Sequence, residues 1–261
     1  MKNMVRGAAA CAALLGSTGY ALAVDIGGLS VPTGPTFAVA QVYENIVTGV
    51  GSTLSGYGKV DSINSTPVNL LCNDCELTYT FGGYVVTSIS ATDMTFKGGF
   101  VRFFLGFGSN NDFSTTNPGG SAGDLVEVSN GTPFLSLKGH AIDALGNTFV
   151  GNGVNINTPF AAGSGFGLAD VDTTVPGIAN AFFDTNTVPA DFGGPADFLL
   201  TSSFSNLFVP YPAECPAGPA CLSGDASFRG SVVGVVPEPE TYALMLAGLG
   251  AMFYVARRRS I

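Results

Sequence analysis

Short runs of β-branched and aromatic residues, each closed by glycine or asparagine, recur through the middle of this chain and restrict it to an all-β fold. Leu77-Thr78-Tyr79-Thr80-Phe81 alternates and meets Gly82-Gly83, and Tyr84 to Ile89 follows. Met94-Thr95-Phe96-Lys97 runs into Gly98-Gly99, and Phe100 to Leu105 resumes. A period near two in such residues marks strands. Further strands are expected at Asp124 to Val128, Phe134 to Lys138, Thr148 to Val150, Asp197 to Phe204 and Ser227 to Val236. Pro118-Gly119-Gly120, Asn130-Gly131 and Gly193-Gly194 are turn signals between them. Helix candidates are few: Phe37 to Val47, with a mixed pattern, and one or two turns over Ile178 to Phe183. Strand starts about ten residues apart predict a single sandwich or jelly-roll-like domain. No internal repeat and no second domain boundary is visible.

The two ends have a different character. Lys2 and Arg6 precede an apolar, Ala-rich stretch from Gly7 to Leu15, and Ala21-Leu22-Ala23 offers a small-x-small cleavage site. Residues 1–23 are therefore expected to be a secretory signal peptide, cleaved after Ala23 to leave Val24 as the new N-terminus. At the far end, Val236-Pro237-Glu238-Pro239 is followed by an uncharged run from Thr241 to Ala256 and then by Arg257-Arg258-Arg259. The two prolines fix φ and disfavour helix at the residues before them, so an extended, accessible peptide precedes the run. A helix over 241–256 rises about 24 Å, a little short of the roughly 30 Å bilayer core. Tyr242 and Tyr254 stand where interfacial aromatics belong, and the arginines act as a cytoplasmic stop. Residues 24–236 are then an exported ectodomain, and 237–261 a membrane-inserting tail.

Without its ends the chain keeps five basic residues (Lys59, Lys97, Arg102, Lys138, Arg229) against 17 acidic ones, a net charge of −12. That balance opposes binding to nucleic acid or to an anionic membrane surface. Cys11 leaves with the signal peptide, and Cys72, Cys75, Cys215 and Cys221 remain. An even number in an exported chain points to disulfides. Three pairings are open, and close spacing favours Cys72–Cys75 and Cys215–Cys221. A four-thiolate zinc site would want a different spacing for the second pair.

In order and spacing, Pro237-Glu238-Pro239, the apolar run and the Arg cluster resemble the PEP-CTERM sorting signal of Gram-negative bacteria, the tail recognised by an exosortase. The resemblance implies cleavage near the motif, a transient anchor in the inner membrane, and delivery to the cell surface or extracellular matrix. Proteins with such tails are typically linked to exopolysaccharide and to biofilm or floc formation. A second, shorter likeness covers Ala181-Phe182-Phe183-Asp184-Thr185-Asn186 and Ala196 to Phe204, which resemble a pattern in flocculation-associated PEP-CTERM proteins. It carries over no catalytic residue.

Chemistry-bearing constellations are sparse. His140 is the sole histidine, and alternation places it with Ser136 and Lys138 on a solvated strand face. No Gly-x-Ser-x-Gly elbow accompanies it. A glycoside hydrolase needs two carboxylates in one cleft. Glu44, Glu76, Glu127, Asp170 and Asp172 are available, without a spacing signal. Asp170-Val171-Asp172 puts two carboxylates on one strand face, a Ca²⁺-compatible pair that lacks the glycine and distal glutamate of an EF-hand loop. There is no phosphate-binding Gly-x-x-x-x-Gly-Lys-Ser/Thr loop. Tryptophan is absent, and the 20 Phe and 8 Tyr are the available aromatic faces. The expectation is a non-enzymatic structural or adhesive protein without catalytic residues, metal or cofactor, whose partners are exosortase and exopolysaccharide. A polysaccharide-binding module and a secreted glycoside hydrolase are the alternatives.

Overall fold

The computed structural model describes residues 23–114, 121–154, 162–205, 221–234 and 248–249. In chain order the elements are β1 (Ala23–Ile26), β2 (Leu29–Pro32), β3 (Gly34–Asn45), β4 (Thr53–Ile63), β5 (Thr66–Pro67), α1 (Val68–Leu71), β6 (Cys75–Ile89) and β7 (Asp93–Phe107). A 3₁₀ turn (Gly108–Asn110), α2 (Ser121–Glu127), β8 (Thr132–His140), β9 (Phe149–Val154), β10 (Ala162–Val171), α3 (Asn180–Phe183), β11 (Phe198–Ser205) and β12 (Cys221–Val232) follow.

The fold is all-β, as the strand pattern requires, but it is neither a sandwich nor a jelly roll. From β3 onward each long strand pairs antiparallel with its neighbour in sequence, and β12 returns to pair with β3 from Cys221↔Asn45 to Val232↔Gly34. β8 and β9 share one position between β7 and β10. Phe100 pairs with Lys138 of β8, and Phe96 with Phe149 of β9. The result is a closed up-and-down barrel of eight positions, which leaves no free sheet edge. Strand lengths and turn spacings read alike in a sandwich and in a meander; the long-range pairing of first and last strands separates them.

Three local expectations change with the barrel. Phe37 to Asn45 of the expected 37–47 helix is strand, because both of its faces are covered. Ala40, Val42 and Glu44 turn inward, while Tyr43 packs outward against Tyr57, with ring centroids 5.5 Å apart. Asp124 to Val128 is not a strand; its first four residues complete α2. Gly82-Gly83 and Gly98-Gly99 are not turns but paired bends within β6 and β7, where Tyr84 faces Gly98 and Gly82 faces Phe100. Gly83, Gly98 and Gly99 all have positive φ, and such glycine kinks curve a sheet toward closure.

The interior is filled by side chains, as expected at eight strands. Tyr79, Phe103 and Phe228 form its centre, with ring centroids 4.9 to 5.5 Å apart. Tyr79 crosses β4 over Gly58 and donates its hydroxyl to the Gln41 carbonyl at 2.7 Å. A Cβ at position 58 would stand 2.6 Å from the Tyr79 ring and 2.0 Å from the Gln41 oxygen. Gly58→Ala is therefore expected to destabilise the barrel by about 1–3 kcal/mol through overpacking. Urea denaturation reads this directly, and unchanged stability would mean that Tyr79 does not need the glycine.

One barrel end is closed by the β1–β2 hairpin, whose Val24, Ile26, Leu29 and Val31 join the main core, and by Phe183 of α3. The opposite end holds a separate cluster around Val47, Leu54, Tyr84, Val86, Met94 and Phe96. Outside the barrel, residues 108–114 and 121–131 cover β4 and β6, with Tyr57 donating to Asp124 Oδ2 at 2.9 Å. Residues 172–197 cover β8 and β10, where Asn180 Oδ1 accepts the Ser136 N–H at 3.0 Å.

Candidate functional site

Two places combine space with polar groups. The first is the barrel lumen near Glu44. This carboxyl is buried among Val42, Leu54, Tyr84 and Phe149 beside a cavity of about 50 Å³, with a neighbouring void of about 30 Å³. Burial pushes its pKa up to about 8. The group is thus protonated at neutral pH. Voids of this size accommodate water-sized molecules, not a ligand.

The second place is an open polar cleft of about 410 Å³ on the outer wall. Its floor is Lys59 and Asp61 of β4 and the first residues of β6, and its walls are α1 and Asn111. Lys59 Nζ donates to Glu76 Oε2 at 2.6 Å and to the Phe113 carbonyl at 2.9 Å. Glu76 Oε1 accepts the N–H groups of Asp112 and Phe113 at 3.2 and 3.3 Å. Glu76 is only 1% exposed, so it anchors the segment at Asp112 and Phe113 rather than facing a solute. Asp61 sits at a register shift between β3 and β4, where Val39 pairs with Ser62 and Ala40 with Val60. This bulge leaves its exposed carboxylate unpaired across the ladder. Partial burial, with Asp225 nearby, raises the Asp61 pKa against the opposing pull of Lys59.

Cys72 and Cys75 are disulfide-bonded, as their spacing favours, and the bridge fastens the end of α1 to the start of β6. Cys75 thereby lines the cleft. Cys215, the side chain of Cys221, Ala21, the sorting residues Val236 to Pro239 and Arg257 to Arg259 lie outside the described residues. Ala23 opens β1. Among the described residues no helix is long and apolar enough to cross a membrane, and only 248–249 of the expected 241–256 span are described.

The five candidate carboxylates are divided among separate parts of the fold. Glu44 lies inside the barrel and Glu76 beneath Asp112 and Phe113. Glu127 is on α2, its pKa raised by partial burial and then by Asp112, Asp124 and Glu76. Asp170 and Asp172 each serve a separate cation. Asp172 Oδ2 accepts from Arg102 Nη2 at 3.1 Å, and its other oxygen binds Thr174. The Thr174 hydroxyl, with Arg102 and Lys138 assisting, holds the Asp172 pKa down against burial. Among the described residues no group of three or more His, Cys, Asp or Glu is placed to hold a metal ion.

His140 is not on a solvated face. It is 6% exposed, because residues 172–197 fold back over that side of β8. Nδ1 donates to the Asp170 carboxylate at 2.8 Å and Nε2 to the Phe192 carbonyl at 2.7 Å. An acceptor at each nitrogen favours the doubly protonated ring. Burial, the largest single influence, lowers its pKa; Asp170 and the Phe192 and Gly194 carbonyls together outweigh it and raise the pKa above the ordinary value. Stability from this contact is therefore complete below the unfolded-state pKa and is lost as pH rises through the folded one. Protection factors at residues 186–196, in which the intrinsic base-catalysed rise of amide exchange is divided out, are expected to be higher at pH 6 than at pH 9, and His140→Gln to abolish that difference. Equal protection factors at both pH values in the unsubstituted protein would contradict this role of His140.

The cleft residues Lys59, Asp61, Asn69 and Asn111 had no signature in the sequence. The sequence singled out only Cys75, through its spacing from Cys72, and Glu76, as a carboxylate without a spacing signal, since the cleft gathers positions from three separate segments.

The comparisons speak to the tail. Residues 235–259 match the family model described as the PEP-CTERM protein-sorting motif. Curated proteins and solved structures show no significant match to the chain. The match contains the Pro-Glu-Pro residues, the apolar run and the three arginines. The chain thus carries a PEP-CTERM protein-sorting motif at residues 235–259, which supports export and processing by an exosortase.

Proposed function

We propose that this protein is a non-enzymatic structural or adhesive component of the extracellular matrix, acting in biofilm or floc formation alongside exopolysaccharide. The sorting motif at 235–259 carries the reading, because it directs the chain through the inner membrane and outward. In this reading the 241–256 helix is a transient anchor, stopped by Arg257 to Arg259 and removed with the tail. The barrel's character supports the role: its interior voids are of water size. Of the cleft carboxylates, Glu76 is buried and tied by Lys59 and two backbone N–H groups, which commit three of its roughly four acceptor positions to the protein itself. This weighs against the hydrolase alternative.

Deletion of the protein from its host tests the role. Expected is a loss of floc settling and of matrix cohesion, restored by the intact chain and not by a chain ending at Val236. Unchanged cohesion in the deletion strain, with the protein absent from the washed matrix fraction, overturns it.

A further inference from the structure

We propose that the outer-wall cleft between β4, α1 and Asn111 is a binding site for a neutral saccharide unit. At about 410 Å³ it falls within the range of small-ligand sites, roughly 300–1,000 Å³. It is about eight times the volume of the largest lumen cavity described above.

Its chemistry selects the ligand. Asn69 and Asn111 carry amides, which donate and accept as sugar hydroxyls do. Asn111 Nδ2 is held by Asp74 Oδ1 at 3.1 Å, which fixes the side chain. The Asp61 carboxylate accepts from adjacent hydroxyls, and its place on the β-bulge leaves it exposed for that. Lys59 has two of its three N–H groups committed to Glu76 and Phe113, which leaves one for a ligand oxygen.

Other ligand classes fit less well. An anionic sugar or phosphate meets the exposed Asp61 carboxylate in a chain segment of net charge −12. A divalent cation meets the Lys59 ammonium. The Cys72–Cys75 bridge holds the α1 wall against β6, so the cleft is preformed, which lowers the ordering cost of binding.

The matrix reading supplies only the biological source of the sugar; the cleft itself rests on its geometry. The test uses the exported protein purified from its host. Cellotetraose, maltotetraose and chitotetraose are titrated by calorimetry, with oligogalacturonate as the anionic control. Expected is binding of at least one neutral oligosaccharide and no binding of the control. Asp61→Asn and Asn111→Ala are each expected to weaken it about tenfold, the effect of losing one ligand hydrogen bond. Both sites are partly or fully exposed, and unchanged melting temperatures show that the variants fold. Binding unaffected by both variants overturns the assignment, as does preferential binding of the anionic control or no binding of any neutral sugar. If the sugars fail to bind while the protein still supports floc cohesion, the cleft proposal falls and the matrix role stands.

Discussion

Replacing Asp197 by alanine is expected to lower the unfolding free energy by about 2–4 kcal/mol, since one buried and two part-buried N–H groups lose their acceptor at once. Asp197 is 2% exposed at the entry to β11. Its Oδ2 accepts the Val171 N–H at 2.8 Å, at the end of β10. Its Oδ1 accepts the N–H groups of Thr185 and Asn186, each at 2.6 Å. Asn186 is held there at a φ of +50°, a conformation that needs a local reason to persist. One carboxylate thus ties residues 185–186 and 197 to the end of β10. Asp197→Asn keeps one acceptor and is expected to lose about half as much, because its amide turns a donor toward a backbone donor. Urea denaturation measures both losses, and hydrogen exchange localises them to 184–197. A loss under about 1 kcal/mol for the alanine variant would show that water replaces the carboxylate at no great cost.

Replacing Glu44 by glutamine is expected to do the opposite and stabilise the protein, increasingly so as pH rises. The folded-state pKa of about 8 stands above the ordinary 4.5. Below pH 4.5 the carboxyl is protonated whether folded or not, and its contribution is fully present. Between pH 4.5 and 8 the unfolded chain ionises first, so stability drains away as pH rises. Above about pH 8 the folded group ionises too and the loss levels off. At about 1.4 kcal/mol per pH unit, the gap between the two proteins reaches about 4–5 kcal/mol near pH 8. Thermal melts from pH 4 to 9 read it as diverging curves. His140 also loses its contribution with rising pH, but it is retained in Glu44→Gln and so cancels in the difference. Parallel curves would show that Glu44 ionises as freely in the barrel as in water.

Strand content was legible where one face is core and the other solvent or hydroxyl-bearing. Leu77 to Phe81, Phe100 to Leu105 and Phe134 to Lys138 all became strands, each inside a longer one. Phe37 to Val47 was not legible, because a carboxyl points into the barrel at Glu44 and an aromatic packs beneath the outer layer at Tyr43. The glycine pairs at 82–83 and 98–99 read equally as turn or bend. Their pairing across β6 and β7 decides, and it is a property of two strands together. Closure depends on Gly34 meeting Val232, a contact that no local window contains. His140 was misplaced for the same reason: its partners Asp170 and Phe192 come from elsewhere in the chain. The sorting tail was the reverse case, since its chemistry is contiguous and needs no fold to be read.

The most direct measurement is the intact mass of the protein from its native host, with and without the exosortase. The expected result is a species beginning near Val24 and ending near Pro237-Glu238-Pro239 only when the exosortase is present. Any added mass identifies the group attached on release. A tail persisting through Arg259 in both strains would contradict exosortase processing and remove the main support for a matrix role.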